Sequence, residues 1–252
     1  MRKYLLAGVV SAAFLASATV SHAIGVEAGL GGSQVYPTGN LGYKGTSLDV
    51  KSDLNLGRAN TVIGRVRLEV PLIIPNIYIM ARPMRFEGTQ VRTQSFTYSD
   101  KTYSASLPYT TKLKLDHYDL TLFYGIPVLK TATAGILNID LGLNVRYLDF
   151  KGEIIQPGTG QSESKSQAIP IPMVFAAVQV APISLIAVEG ELKAVGYGNN
   201  RYVDAIARVK VKPLPFLFIG GGYGFENIKI DQNDIKADLK LGGPIVELGV
   251  QF

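Results

Sequence analysis

Beyond residue 23, apolar and polar residues alternate with a period of two along most of the chain, and the 3.6-residue period of an amphipathic helix does not recur. The alternation predicts ten strands. The first, Ile24–Val35, sets Ile24, Val26, Ala28 and Leu30 against Gly25, Glu27, Gly29 and Gly31. The second, Ala59–Val70, sets Val62, Val66, Leu68 and Val70 against Arg65, Arg67 and Glu69. The third, Asn76–Glu87, is interrupted at Pro83, which reads as a bulge because proline cannot donate to a ladder. The others are Tyr109–Gly125, Ile136–Ile154, Gln167–Val180, Ile183–Val195, Arg201–Lys212, Phe216–Ile230 and Ile235–Phe252.

The connections fall into two alternating classes. Short, proline-marked turns are expected around Pro71–Pro75, Pro127, Ala181-Pro182 and Pro213–Pro215. Longer or more polar ones are expected at Pro37–Arg58, Gly88–Pro108, Gln156–Ser166, Gly198–Asn200 and Asp231–Asp234. An even strand count with this asymmetry points to an all-β fold, a closed antiparallel transmembrane β-barrel with both termini on the periplasmic side. Ten strands fit best, and the ambiguous Pro37–Arg58 and Pro83 stretches leave eight or twelve open. Ala168–Val188 carries no charge and is long enough for a membrane helix, but Pro170, Pro172 and Pro182 break it, so a hairpin is expected there.

Composition narrows the setting. Arg2 and Lys3, the apolar Leu5–Ala18 stretch and Ser21-His22-Ala23 read as a secretory signal peptide over 1–23, leaving one domain over 24–252. The formal charge of +5 falls to +3 without that leader, and no basic cluster accompanies it, so nucleic acid is not an expected partner. The absence of Cys excludes a disulfide scaffold, a thiolate metal site and a Cys nucleophile.

Apolar rows such as Tyr118, Leu120, Leu122 and Tyr124, or Ile139, Leu141, Leu143, Val145 and Tyr147, suit lipid, with tyrosines at the two interfaces. A soluble β-sandwich or lipocalin-like barrel would carry the same alternation with its apolar row inside, and parity does not separate the two. In the membrane barrel, which the leader, the even strand count, Phe252 and the long strands favour, the opposite row lines the lumen. Its acids are Glu27, Glu69, Asp119, Asp140, Glu189, Glu191, Asp204, Glu226 and Glu247, and its bases are Arg65, Arg67, Arg82, Arg146, Lys193, Arg208, Lys210 and Lys212. Near balance of sign favours a paired luminal charge network over the single-sign constriction of an ion-selective pore. Phe123, Ala177, Leu185, Phe216 and Phe218 are expected to close the lower mouth.

Candidate chemistry is sparse. His117 and Asp119 share the inward parity and could form a general-base pair near an extracellular rim. Rim-active barrel hydrolases, the omptin-like proteases and lipid A deacylases, use such histidines, but neither their acidic clusters nor a partner serine is found here. Asp49 and Asp53 lack EF-hand spacing, so no metal is expected, and that segment reads as a strand-like or one-turn lid. Gly220–Gly224 lacks the Lys-Ser/Thr ending of a phosphate loop, so its glycines are expected to relieve crowding, and no cofactor is implied.

Gly45–Leu54, Val70–Ile77, Tyr118–Tyr124, Asp140–Asp149, Gly243-Pro244 and the terminal Phe252 together resemble a family of small proteobacterial outer-membrane β-barrel proteins of unassigned function. The resemblance implies residence in the bacterial outer membrane, with outer-membrane lipid around the wall. It also implies that Phe252 belongs to the signal read by the barrel-assembly machinery. It supplies no catalytic residues and names no extracellular ligand. The expected function is a structural or surface-interaction role with a lumen largely filled by side chains. The alternatives are a narrow porin-like channel for small solutes and a hydrolase using His117.

Overall fold

A computed structural model of the protein describes residues 24–70, 74–232 and 234–252. The expected signal segment and Pro71–Ile73 lie outside them. The chain winds up and down as β1 (Gly25–Tyr43), β2 (Leu48–Asp49), β3 (Ala59–Glu69), β4 (Asn76–Arg82), β5 (Arg85–Val91), β6 (Phe96–Tyr98), β7 (Lys101–Tyr103) and β8 (Pro108–Gly125). After a short helix α1 (Pro127–Ala132) come β9 (Leu137–Gln156), β10 (Gln161–Ile183), β11 (Ile186–Tyr197), β12 (Asn200–Leu214), β13 (Leu217–Gln232) and β14 (Ile235–Gln251). Each long strand pairs antiparallel with the next, and β14 returns to β1. With β4 and β5 forming one interrupted stave, the wall is a closed ten-stranded barrel.

Several boundaries differ from expectation. β1 does not stop at Val35 but runs on to Tyr43, paired with β14 through Pro37 opposite Leu241. Proline is tolerated there because pairing with β3 ends at Val35–Ala59, so its missing N–H faces a side with no ladder to complete. Pro83 interrupts the stave without inserting a residue against β8, since Arg82–His117 and Arg85–Lys114 keep one register. The ladder with β3 does end, at Gly64–Ala81, and beyond it the Thr61 hydroxyl donates to the Pro83 carbonyl.

Two expected loops are largely strand. In 88–108, β5 continues to Val91 and a β6–β7 hairpin turns through Ser99 and Asp100, both at positive φ. In 156–166, the turn is one 3-10 turn, Pro157–Thr159, capped by left-handed Gly160. The turn after Val180 also falls later, at 184–185, because β10 extends through Ile183. The charge-free Ala168–Val188 stretch is therefore strand and turn, as expected, and among the described residues no helix is long and apolar enough to cross a membrane.

β9 and β10 have 20 and 23 residues, about twice what a tilted strand needs to cross a bilayer. The surplus has a reversed pattern. At the end bearing both termini, the outward row is apolar and exposed, with Leu143 68% and Val246 63% accessible, a band suited to lipid. Past Tyr118 and Tyr147 the outward row becomes Asp116, Lys114 and Lys112 on β8, and Asp149, Lys151 and Glu153 on β9. Past Val246 on β14 it becomes Lys240, Asp238 and Lys236.

The inward row reverses with it. Leu113, Leu115, Leu148, Ile154, Leu239 and Leu241 form one buried cluster with Phe86, Phe96, Tyr103 and Tyr109. The strands thus leave the membrane as a water-facing barrel with an apolar core, because apolar rows turn to whichever side excludes water.

Candidate functional site

The inward charges occupy the membrane band in three tiers. The middle one is a closed circuit of alternating sign. Arg65 reaches Glu27 at 2.5 Å and forks onto Glu247 at 2.9 and 3.0 Å. Arg208 meets Glu247 at 3.5 Å and Glu189 at 3.7 Å, and also pairs with Glu191. Lys210 pairs with Glu189 and closes the circuit to Glu27 at 2.8 Å. Glycines make the room. A Cβ on Gly220 would lie 2.6 Å from Glu247 Cγ, and one on Gly29 3.3 Å from its Oε2. For Gly220 the expected relief of crowding thereby acquires a physical reason, whereas a Cβ on Gly221 would meet open space.

The tier toward the protruding end centres on Arg146. It holds Asp119 through two bonds of 2.8 Å, pairs with Asp204 and approaches Glu226 at 3.6 Å. Lys193 adds a 2.8 Å contact to Asp119, and Arg82 binds Glu226 at 3.0 Å and the Ser33 hydroxyl at 3.2 Å. Arg146 is 0% exposed, as is Glu226. The lowest tier joins Arg67 to Asp140 at 2.6 Å and to Glu69 at 3.1 Å, with Lys130 of α1 3.8 Å from Glu69. A cavity of about 280 Å³ at this end is lined by Glu69, Asn76, Tyr124, Lys130, Asn138 and Asp140.

Apolar side chains fill the gaps between tiers. Ile63, Tyr78, Met80, Phe123, Phe175, Ile206 and Ile245 pack as a second buried cluster. Phe123 and Phe218 are fully buried, with Arg67 4.4 Å above one ring and Lys210 5.0 Å above the other. Leu185 and Phe216, expected inside, are instead 45% and 47% exposed at the turns, where the strand period ends.

His117 and Asp119 both point inward but do not pair. Asp119 is taken by Arg146 and Lys193. His117 sits beside Glu226, with Nδ1 3.5 Å from the carboxylate, and its Nε2 lies 3.1 Å from the Tyr202 hydroxyl. Tyr202 donates to Glu226 at 2.7 Å. His117 is 1% exposed and lies beneath the apolar cluster of the protruding end. The neutral members Tyr202, Tyr78, Asn144 and Thr121 escape a reading based on charge, although all carry the inward parity. Lys130 escapes it because it lies in α1, in what reads as a turn.

The lid is a single helical turn. Leu54 and Asp53 donate to the Asp49 carbonyl at 3.0 and 3.1 Å, and Val50, Leu54 and Leu56 plug the barrel end. Both carboxylates serve this turn. Asp49 accepts from the Ser52 and Lys51 N–H groups at 2.7 and 2.8 Å, and Asp53 accepts from the Asp49 N–H at 2.9 Å. The Ser52 amide, with Lys51 behind it, holds the Asp49 carboxyl below its ordinary range.

A group with a depressed folded pKa stabilises above its unfolded value and loses that contribution as pH falls through the folded one. Asp49→Ala is therefore expected to weaken the lid by about 0.5–2 kcal/mol near neutral pH. Limited proteolysis within residues 44–58 should accelerate in the variant at pH 7, and the difference should vanish under strong acid.

At the barrel seam, Phe252 exchanges backbone hydrogen bonds with Val26 at 2.9 and 3.1 Å, and its ring is 65% exposed.

No family model and no curated protein matches the chain. Solved structures do. The outer-membrane protease OmpT of Escherichia coli aligns over 93% of this chain and 99% of its own at 13% identity, TM-score 0.51. The translocator domain of autotransporter NalP from Neisseria meningitidis aligns over 100% and 96% at 11% identity, TM-score 0.47. Ail, the attachment invasion locus protein of Yersinia pestis, aligns over 91% and 99% at 12% identity, TM-score 0.35. At these identities the likeness to OmpT concerns the barrel fold.

Proposed function

We propose that this protein resides in the bacterial outer membrane with its lumen closed, and that its activity is carried by the part of the barrel standing beyond the lipid. In this reading the termini and short turns face the periplasm, and the lid, the β6–β7 hairpin and the β9–β10 turn face outward. The observation that carries it is the stack of paired charges and apolar layers from Asp140 through Arg65 and Arg146 to Leu54. A conduit needs hydrated groups whose counter-charges are mobile ions, whereas here the counter-charges are fixed side chains. The buried setting of His117 favours a place in that network over hydrolysis. Wall contacts with lipid and recognition of Phe252 by the assembly machinery belong to the same reading.

Purified protein in planar bilayers is expected to show no unitary conductance steps above the bare-membrane baseline. Removal of the lid residues 45–56 should leave that silence intact, because the tiers of Arg65 and Arg146 lie below it. Stable open levels from the intact protein would overturn the closed-lumen reading.

A further inference from the structure

The protruding sheet has two edges, and the fold treats them differently. On the β5 side, the Gly57 N–H donates to the Glu87 carbonyl at 3.1 Å, Asn55 Nδ2 to Thr89 at 2.9 Å, and Gln90 Nε2 to the Ser52 carbonyl at 3.0 Å. That edge is covered. On the β10 side, pairing with β9 starts at Gln161–Gln156, but pairing with β11 starts only at Val174–Ala194. Gln161–Met173 thus has a strand on one flank only.

Pro170 and Pro172 sit within the β9 ladder opposite Tyr147 and Val145, so their main-chain groups point away from β9. By alternation, so do those of Ser162, Ser164, Ser166 and Ala168, whose side chains are small and exposed. The two prolines blunt the edge near the lipid, while Ser162–Ala168 keep their donors and acceptors. Of these acceptors, the Ser162 carbonyl receives Lys101 Nζ at 3.0 Å and retains a second lone pair.

The sequence of this edge is self-complementary. Gln161-Ser162-Glu163-Ser164-Lys165-Ser166-Gln167, laid antiparallel on a copy of itself about Ser164, sets Gln opposite Gln, Ser opposite Ser and Glu163 opposite Lys165 twice. This register puts the outward-pointing main-chain rows of Ser162, Ser164 and Ser166 in hydrogen-bonded pairs. Glu163 and Lys165 then fall at the non-hydrogen-bonded positions, where side chains approach most closely. Within one copy, Glu163 is already bound by Lys101 at 2.8 Å, and Lys165 stands 5.6 Å over the Tyr43 ring. A second copy would extend these contacts into alternating Lys–Glu–Lys chains.

We propose that Gln161–Ala168 is a docking edge for the same edge of a second copy held in a facing membrane. β10 runs from the protruding tip toward the short-turn end, so antiparallel pairing reverses the second barrel. Two copies side by side in one membrane would be related by an axis along the membrane normal. That symmetry sets equal residues level, whereas parallel ladders require a one-residue offset. The interface is isologous, each edge being both template and partner.

This inference rests on the surface-interaction reading, and the two fail separately, since one is read by conductance and the other by association. Vesicles carrying the wild-type protein are expected to aggregate, followed by light scattering. Glu163→Lys and Lys165→Glu should each slow aggregation roughly tenfold by placing like charges opposite one another. Mixing vesicles of the two single variants should restore it, because each then meets its complement, and the double exchange should aggregate like wild type.

Gel migration of unheated samples establishes that each variant is folded. The chain has no Cys, so Ser164→Cys can cross-link only between copies, and its Cα partner at about 5.5 Å lies within disulfide reach. Single variants that aggregate like wild type, or a mixture that stays dispersed, would overturn the proposal.

Discussion

Arg146→Leu is expected to be the most destabilising single substitution of a charged residue in this barrel. Its guanidinium is shared by Asp119, Asp204 and Glu226, and all three carboxylates are buried. Lys193 would remain for Asp119, and Arg82 for Glu226, but Asp204 has no other ion-pair contact among the described residues. Stranding a buried charge in this way costs about 3–5 kcal/mol, because the desolvation penalty stays after the attraction is gone. Folded domains hold only about 5–15 kcal/mol in total.

Urea titration in lipid vesicles, read by the gel shift of the folded form, should show the midpoint falling sharply or the folded form absent. Arg146→Lys, which keeps the charge but loses the two-pronged contact with Asp119, should fall between. Lys112→Leu, on the exposed outward row of the protruding part, should move the midpoint little, within about 0.5 kcal/mol. A variant at 146 as stable as wild type would mean that the carboxylates find water or one another, and that the interior is wetter than a closed lumen permits.

The sequence was legible wherever one physical factor dominated. In the lipid band, parity set the row Tyr118, Leu120, Leu122, Tyr124 on one face and the charges on the other, and the structure exposes the first row and pairs the second inside. Of the turn-end prolines, Pro213–Pro215 marked a short connection, between β12 and β13, whereas Pro182 lies inside β10 and Pro127 opens α1. Past Tyr118 the same period of two continues, but the apolar residues change rows at Leu115, and periodicity alone says nothing of which side is wet.

The stretches read as loops failed for a related reason. Ser, Gln and Gly at 156–166 have weak strand propensity, but the register with β9 overrides it. The partners of His117 were hidden by topology. Parity suggested its near neighbour Asp119, whereas Glu226 and Tyr202 arrive from strands far along the chain that only closure brings across the lumen. The free β10 edge was equally out of reach, since no residue in it announces that β11 stops short.

Closure itself makes the last prediction. Gly249 on β14 pairs with Gly29 of β1 and Phe218 of β13, at the seam where the last strand meets the first. A Cβ there would lie 2.2 Å from the Phe218 ring and 2.4 Å from the Ala28 carbonyl oxygen. The first obstacle is a side chain already fixed beneath Arg65 and Lys210, and the second is backbone.

Gly249→Val must therefore both displace Phe218 and push β1 off β14. The cost should exceed the about 1–3 kcal/mol of ordinary overpacking, because part of the strain falls on the ladder that closes the barrel. Folding into vesicles should lose most of its yield. Gly221→Ala, on the outward face of β13 with open space at its Cβ, should fold like wild type. Adding Phe218→Ala to Gly249→Val should recover only part of the yield, since the Ala28 carbonyl still blocks the seam. Full recovery would place the whole cost in the ring and none in closure.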